Sequence, residues 1–202
     1  MSEIIPLFST PLYRSTIKDI DFAEIDPQIR SANFREINEN FWLSVDDGSI
    51  NKVPNLKLKI INHLNTYLFD KLEFQPFEFY FADSWFVRVG PGGNTPKHFH
   101  SNSLYSGVVY LRIPGDGGEI KFHSPETFNS NNTVKYLFKV KESNFYNCEG
   151  WAFTPSVGEI IIFPSHLSHE VIVNNSEFDR YSFSFNILPY NFKSDVIGNR
   201  VV

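Results

Sequence analysis

The chain has 202 residues, which suits one domain or one domain with a small helical appendage. Its formal charge is −5, with 18 Lys and Arg against 23 Asp and Glu, which argues against nucleic acid as a partner, because sequence-independent binding to a phosphate backbone needs clustered cations. A lone cysteine, Cys148, excludes an internal disulfide and fits a reducing compartment. The N-terminus lacks a basic region followed by a signal-length apolar stretch, and no window approaches the roughly 18 apolar residues of a membrane span. The expectation is a cytoplasmic protein without a membrane partner.

Aromatic residues are abundant, with 21 Phe and 9 Tyr, and such residues favour strands. Residues 4–17, IIPLFSTPLYRSTI, read as extended chain broken by Pro6 and Pro11. In residues 34–43 the apolar positions Phe34, Ile37, Phe41 and Trp42 fall close to helical spacing. Residues 54–72 predict a clearer helix: Leu56, Leu58, Ile60, Ile61, Leu64, Tyr67 and Leu68 form a broad stripe, and Pro54 stands near the start, where proline is tolerated. After Pro76, short β-rich runs separated by Gly, Pro, Asn or Asp replace the helical period. That pattern predicts an antiparallel sandwich or barrel with helices packed outside it. One domain over 1–202 is expected, with residues 1–75 as an extended segment and supporting helices and 76–190 as the β core. Residues 125–157 read as a long loop, with VKYLFKVKE as one further candidate strand, and long loops in compact domains often bind or cover ligands.

The stretch PKHFHSNSLYSGVVYL, residues 96–111, carries the first chemical signal. Positions i and i+2 of a strand share one face, so His98 and His100 project together if this segment is extended. Neutral imidazole is a common metal ligand. A second cluster lies in GEIIIFPSHLSHEVIV, where His169 opens an apolar strand and His166 sits on the turn before it. His169 beside the first pair completes three ligands, whereas His166 reads as outer or exposed. His123 reads as structural and His63 as helix surface. A polar network of satisfied histidines remains the alternative to a metal site.

In DRYSFSFNIL, residues 179–188, alternation places Arg180, Ser182, Ser184 and Asn186 on one face and Tyr181, Phe183, Phe185 and Ile187 on the other. The aromatic face needs a core. The small polar face needs water or a cavity, and Arg180 with Ser182 offers planar donors and a hydroxyl to a carboxylate. A face open to solvent stays possible from this strand alone.

Taken together, His98-Phe99-His100, the distal His169 and Arg180-Tyr181-Ser182 resemble the motifs of the iron(II)- and 2-oxoglutarate-dependent oxygenases. The run SGVVYLRIP followed by GGEIKF is similar to the prolyl-hydroxylase-like branch. The segments PLFSTPLY, DSWFVRVGPGGNTPKHFHSNSLYSGVVYL, GEIIIFPSHLSHEV and DRYSFSFN resemble a group of such oxygenases common in marine phages and bacteria, from about residue 4 to 187. The resemblance implies a double-stranded β-helix, or jelly roll, with Fe(II) bound by His98, His100 and His169. It implies 2-oxoglutarate as cosubstrate, its distal carboxylate on Arg180 and Ser182, with Tyr110 and Asn186 as further contacts. Trp85 and Tyr105 are candidates for the pocket wall, although core is the plainer role for each, and Gly107 for a close strand contact.

The usual metal set is two His and one carboxylate. Here His100 stands where the carboxylate is expected. Either His100 is the third ligand, or two protein ligands suffice, or a carboxylate comes from elsewhere; the first is favoured. Two rivals remain: a cupin-type three-His metalloenzyme that does not use 2-oxoglutarate, and a non-enzymatic jelly-roll binding or structural protein. The cupin reading lacks the Glu its first motif requires after the HxH pair. The expected substrate is a small molecule or peptide. An exposed edge strand leaves a homodimer open.

Overall fold

The structure is a computed structural model that describes residues 3–5, 9–46, 48–125 and 141–190. Among them run β1 (Tyr13–Thr16), α1 (Phe22–Ser31), β2 (Phe34–Asn38), β3 (Phe41–Ser44), α2 (Pro54–Asn65), β4 (Phe79–Val89), β5 (Thr95–His98), β6 (Tyr105–Arg112), β7 (Ile120–His123), β8 (Gly150–Phe153), β9 (Glu159–Pro164), β10 (His169–Val171) and β11 (Arg180–Pro189). The strands form a seven-stranded sheet in the order β1-β9-β6-β11-β4-β3-β2 and a four-stranded sheet in the order β5-β10-β7-β8. Every pairing is antiparallel. This is the jelly roll that the sequence led us to expect.

The strand alternation explains how the layers assemble. On β11, Phe183, Phe185 and Ile187 face outward from the barrel into a core shared with Leu56, Ile60, Leu64 and Leu68 of the helical segment. Fully burying each such side chain contributes about 1.5–3 kcal/mol. A second core fills the space between the sheets: Val108, Tyr110, Ile161 and Phe163 of the large sheet meet Ile120 and Phe122 of the small one. Gly107 is required where β6 crosses β11, because a Cβ there would lie 2.2 Å from the tip of the Phe185 ring.

The predicted helix over 54–72 is present: α2 has Pro54 in its first turn and continues into a π-type turn over Thr66–Lys71. Within the stripe, Leu56, Ile60, Leu64, Tyr67 and Leu68 are buried, while Leu58 is exposed. The helical spacing read over 34–43 is corrected: these residues form the β2–β3 hairpin, which extends the large sheet through β4. Asn40 takes a left-handed conformation in its turn, which Asn tolerates better than most residues, and four apolar positions were too few to separate the two periods. Sequence reasoning did not find α1, in which Asp21 caps Ala23 N and Glu24 N. His63 is not simply helix surface; it is half-buried, with Nδ1 2.7 Å from the Tyr13 hydroxyl. Most of the candidate strand 134–142 lies outside the described residues.

Candidate active site

His98 ends β5 and His169 begins β10, and the two are directly paired in the small sheet. The backbone N–H of His100 donates to Ser165 O at 2.9 Å, which turns the chain after β5 back toward the same point. Their rings converge: centroids are 4.3 Å apart for His98–His169, 5.2 Å for His98–His100 and 5.4 Å for His100–His169. One nitrogen from each lies within 4.8 Å of the others.

Two backbone carbonyls fix the tautomers. His98 Nδ1 lies 2.7 Å from Pro96 O, and His169 Nδ1 lies 3.0 Å from Leu167 O. A carbonyl only accepts, so each Nδ1 carries the proton and each Nε2 keeps its lone pair for a cation. Burial pushes the His169 imidazolium down to about 3 and that of His100 down to about 4, with repulsion from the neighbouring His98 adding to both. Both rings are therefore neutral at ordinary pH, the form that binds a metal. No Asp or Glu joins the cluster among the described residues, so the donor set is made of imidazoles alone.

The other half of the site is on the large sheet. Arg180 is 2% exposed, and its Nη1 donates to Gly117 O at 3.3 Å and Gly118 O at 3.1 Å. Gly118 has φ of 85°, and a Cβ there would lie 2.2 Å from Ile172 O, so the turn that presents these carbonyls needs glycine. Arg180 has no carboxylate partner among the described residues, and its Nε is buried without a hydrogen bond. The Tyr110 hydroxyl is likewise buried and unpartnered; its ring lies 5.1 Å from the guanidinium carbon. Burial raises the Tyr110 phenol to about 12 despite that cation, and burial lowers Arg180 from its usual range. Ser182 pairs with Tyr110 across β11 and β6 and is buried beside them. A buried guanidinium, a phenol and a hydroxyl, two of them with an unmet polar atom, fit the carboxylate end of a diacid. Three imidazoles that share one focus fit a divalent transition metal.

One cavity of about 760 Å³ joins the two halves and is lined by His98, His100, His169, Tyr110, Arg180 and Ser182. Asn186 also lines it, six residues further along β11. So does Trp85, whose ring is 5.9 Å from that of His100, whereas Tyr105 is buried in the outer core. His166 is exposed, and His123 Nε2 meets Glu170 Oε1 at 3.0 Å, consistent with a structural role. Sequence reasoning missed Asp83, Arg35 and Asp46 on the same wall. Asp83 was within reach, because alternation along β4 places it on the face of Trp85. The hairpin misread as helix hid Arg35.

Fold and site together are a jelly roll in which one cavity holds three converging imidazoles and a buried guanidinium. A family model described as "Putative 2OG-Fe(II) oxygenase" matches residues 83–186, just over half of the chain, and the chain belongs to that family. It is therefore an oxidoreductase that uses Fe(II) and 2-oxoglutarate, and the cupin and non-enzymatic alternatives fall away. No curated protein matches it by sequence. Among solved structures it is similar in fold to a 2OG-Fe(II) oxygenase family oxidoreductase from Burkholderia pseudomallei, with TM-score 0.58, 16% identity and coverage of 82% of this chain and 76% of that one. A Pseudomonas putida prolyl-4-hydroxylase gives TM-score 0.55 at 16% identity, over 89% of this chain and 94% of that one. HygX from Streptomyces hygroscopicus, solved with nickel and 2-oxoglutarate bound, gives 0.59 at 10% identity, over 91% and 84%.

Proposed function

We propose that His98, His100 and His169 hold the iron, and that Arg180, Ser182 and Tyr110 hold the distal carboxylate of 2-oxoglutarate. The carrying observation is the meeting of three imidazoles, two of them with Nε2 free, in the same cavity as a buried guanidinium that has no carboxylate partner among the described residues. When bound, iron and 2-oxoglutarate supply the oxidising chemistry that the family uses on small-molecule or peptide substrates. The protein's own part is binding and exclusion. Nδ1–H bonds to Pro96 O and Leu167 O keep two rings aimed at the ion. Arg180 fixes the far end of the cosubstrate, and Tyr110 donates its proton to the same carboxylate. The core between the sheets keeps water from the seat. Asn186, six residues along β11 from Arg180, stands too far along the strand to share that carboxylate.

Among the described residues no helix is long and apolar enough to cross a membrane. The lone cysteine supports a cytoplasmic setting, and β2, at the edge of the large sheet among the described residues, leaves room for a second copy. Succinate formation with Fe(II), 2-oxoglutarate and ascorbate tests the reading, in parallel with metal binding under anaerobic conditions. Wild-type protein should bind one Fe(II) and gain thermal stability from 2-oxoglutarate. Absence of both effects in the folded protein would overturn it.

A further inference from the structure

The cavity wall holds one more set of incompletely satisfied polar groups, at the end of β11 away from Arg180. Asn186 is 4% exposed and lines the cavity. Its Oδ1 accepts from Ser106 Oγ at 2.7 Å. Ser106 Oγ meets Ser165 Oγ at 2.8 Å, and Ser103 Oγ donates to Ser165 Oγ at 2.8 Å. These hydroxyls occupy the carbonyl side of the amide. Its Nδ2 has no partner among the described residues and is left to the cavity. Directly across the ladder on β4 stands Asp83, also on the wall. One of its oxygens accepts from Ser84 N at 2.7 Å, and no cation pairs with it among the described residues. Trp85, two residues along, pairs with Ser184 and lies beside His100.

The position decides what these groups serve. Six residues of strand separate Asn186 from Arg180, about 20 Å at ~3.3 Å per residue. That is more than an arginine side chain and a five-carbon diacid cover end to end. Asn186 and Asp83 therefore lie beyond the reach of the carboxylate seat, and Trp85, two residues along β4, stands beside His100.

We infer that Asn186, Asp83 and Trp85 form the substrate-recognition face, and that it takes a planar carboxamide or lactam edge, which rests on the reading of the three histidines as iron ligands. The substrate carbonyl accepts from Asn186 Nδ2, the adjacent N–H donates to Asp83, and the flat face lies on the Trp85 ring. An ammonium would set its charge against the Asn186 donors, and a carboxylate would set its charge against Asp83. A neutral edge with acceptor and donor side by side satisfies both, and sites that hydrogen-bond their substrate reject analogues lacking the group strongly. Arg35 does not join this face. Its row runs Arg35, Leu43, Val87, Ser182 across the sheet, about 14 Å from β11 at ~4.8 Å per strand.

The test uses protein loaded with Zn(II) and 2-oxoglutarate and follows the indole N–H signals by NMR, with Trp85→Phe identifying the relevant one. The probes are benzamide, uracil, benzylamine and benzoate. Benzamide or uracil should move the Trp85 signal saturably, and the order between them separates an open-chain amide from a lactam ring. Asp83→Ala should weaken that binding at least fivefold. Asn186→Asp should weaken it similarly while improving benzylamine, an inversion that misfolding does not produce. Tighter binding of benzylamine or benzoate to the wild type overturns the inference, as does no response to any probe while 2-oxoglutarate still raises the melting temperature. If neither Zn(II) nor 2-oxoglutarate alters that temperature, the iron-site reading has failed, and this inference falls with it.

Discussion

The two ends of β11 face one cavity and are built in opposite ways. At Arg180 the guanidinium is held by glycine carbonyls, Tyr110 and Ser182 are buried beside it, and unmet polar atoms sit in a closed seat. At Asn186 the neighbouring Asp83 is exposed and the wall passes into the open surface of β4, β3 and β2. The difference suits the two proposed roles, a seat for one small diacid at the first end and a substrate face at the second. Desolvation makes the first end expensive to alter, because a buried charge has no water to fall back on. The second end tolerates change with effects confined to recognition.

The largest effect expected is on the metal. His169→Ala removes the most buried of the three imidazoles, and Fe(II) affinity should fall by more than the ~10–100-fold typical of losing only an outer hydrogen-bond partner. Succinate formation should drop to background, checked by metal titration and turnover together. Next is the anion seat. Arg180→Met keeps the volume and removes the charge, and truncating one partner of a buried charge pair costs about 2–5 kcal/mol, so the KM for 2-oxoglutarate should rise at least ~30-fold. Fe(II) affinity should change far less. A parallel loss of both in Arg180→Met would mean that the two halves are not separable.

Gly107→Ala acts on the strand contact under both ends. The added methyl meets the Phe185 ring in a filled core, and overpacking of that kind costs about 1–3 kcal/mol. Thermal melting should fall by ~2–4 °C per kcal/mol for a chain of this size. A variant that melts unchanged would show that β6 and β11 are less closely fixed than the contact implies.

Acidification gives a further separation in metal-free protein. His169 and His100 are held down to about 3 and about 4 by burial, against a usual value near 6.5. Below pH ~6.5 the unfolded chain takes up protons that the folded chain refuses, so stability falls as pH drops toward 4 and is level above ~7. His169→Gln should flatten the slope between pH 7 and 5, read from denaturant midpoints.

Much of this was legible before the fold was known, and the reasons are specific. Alternation alone put Arg180, Ser182 and Asn186 on one face of β11, because the aromatic set Phe183 and Phe185 admitted only one buried side. The HxH pair and His169 were readable as strand-end residues, but their pairing across β5 and β10 depends on sheet order, which spacing does not encode. The β2–β3 hairpin was misread since its apolar positions satisfy a helical period as well as a strand one, and its partner β4 lies some 40 residues later. Asp83 went unnoticed for the opposite reason: an exposed acid on a strand looks ordinary until Asn186 is seen beside it.

The smallest effect expected also has the most informative sign. Tyr110→Phe removes a hydroxyl that is buried without a partner and leaves the ring under Arg180 in place. An orphaned buried polar group costs about 1–3 kcal/mol, so the ligand-free variant should melt at the wild-type temperature or above it. In the proposed complex the same hydroxyl donates to the diacid, where a net hydrogen bond is worth about 0.5–1.5 kcal/mol, so 2-oxoglutarate affinity should fall ~2–12-fold. Stability and affinity then move in opposite directions from one atom. A purely structural tyrosine would lose stability and leave affinity alone, and that result would remove Tyr110 from the carboxylate seat while leaving Arg180 and Ser182 in it.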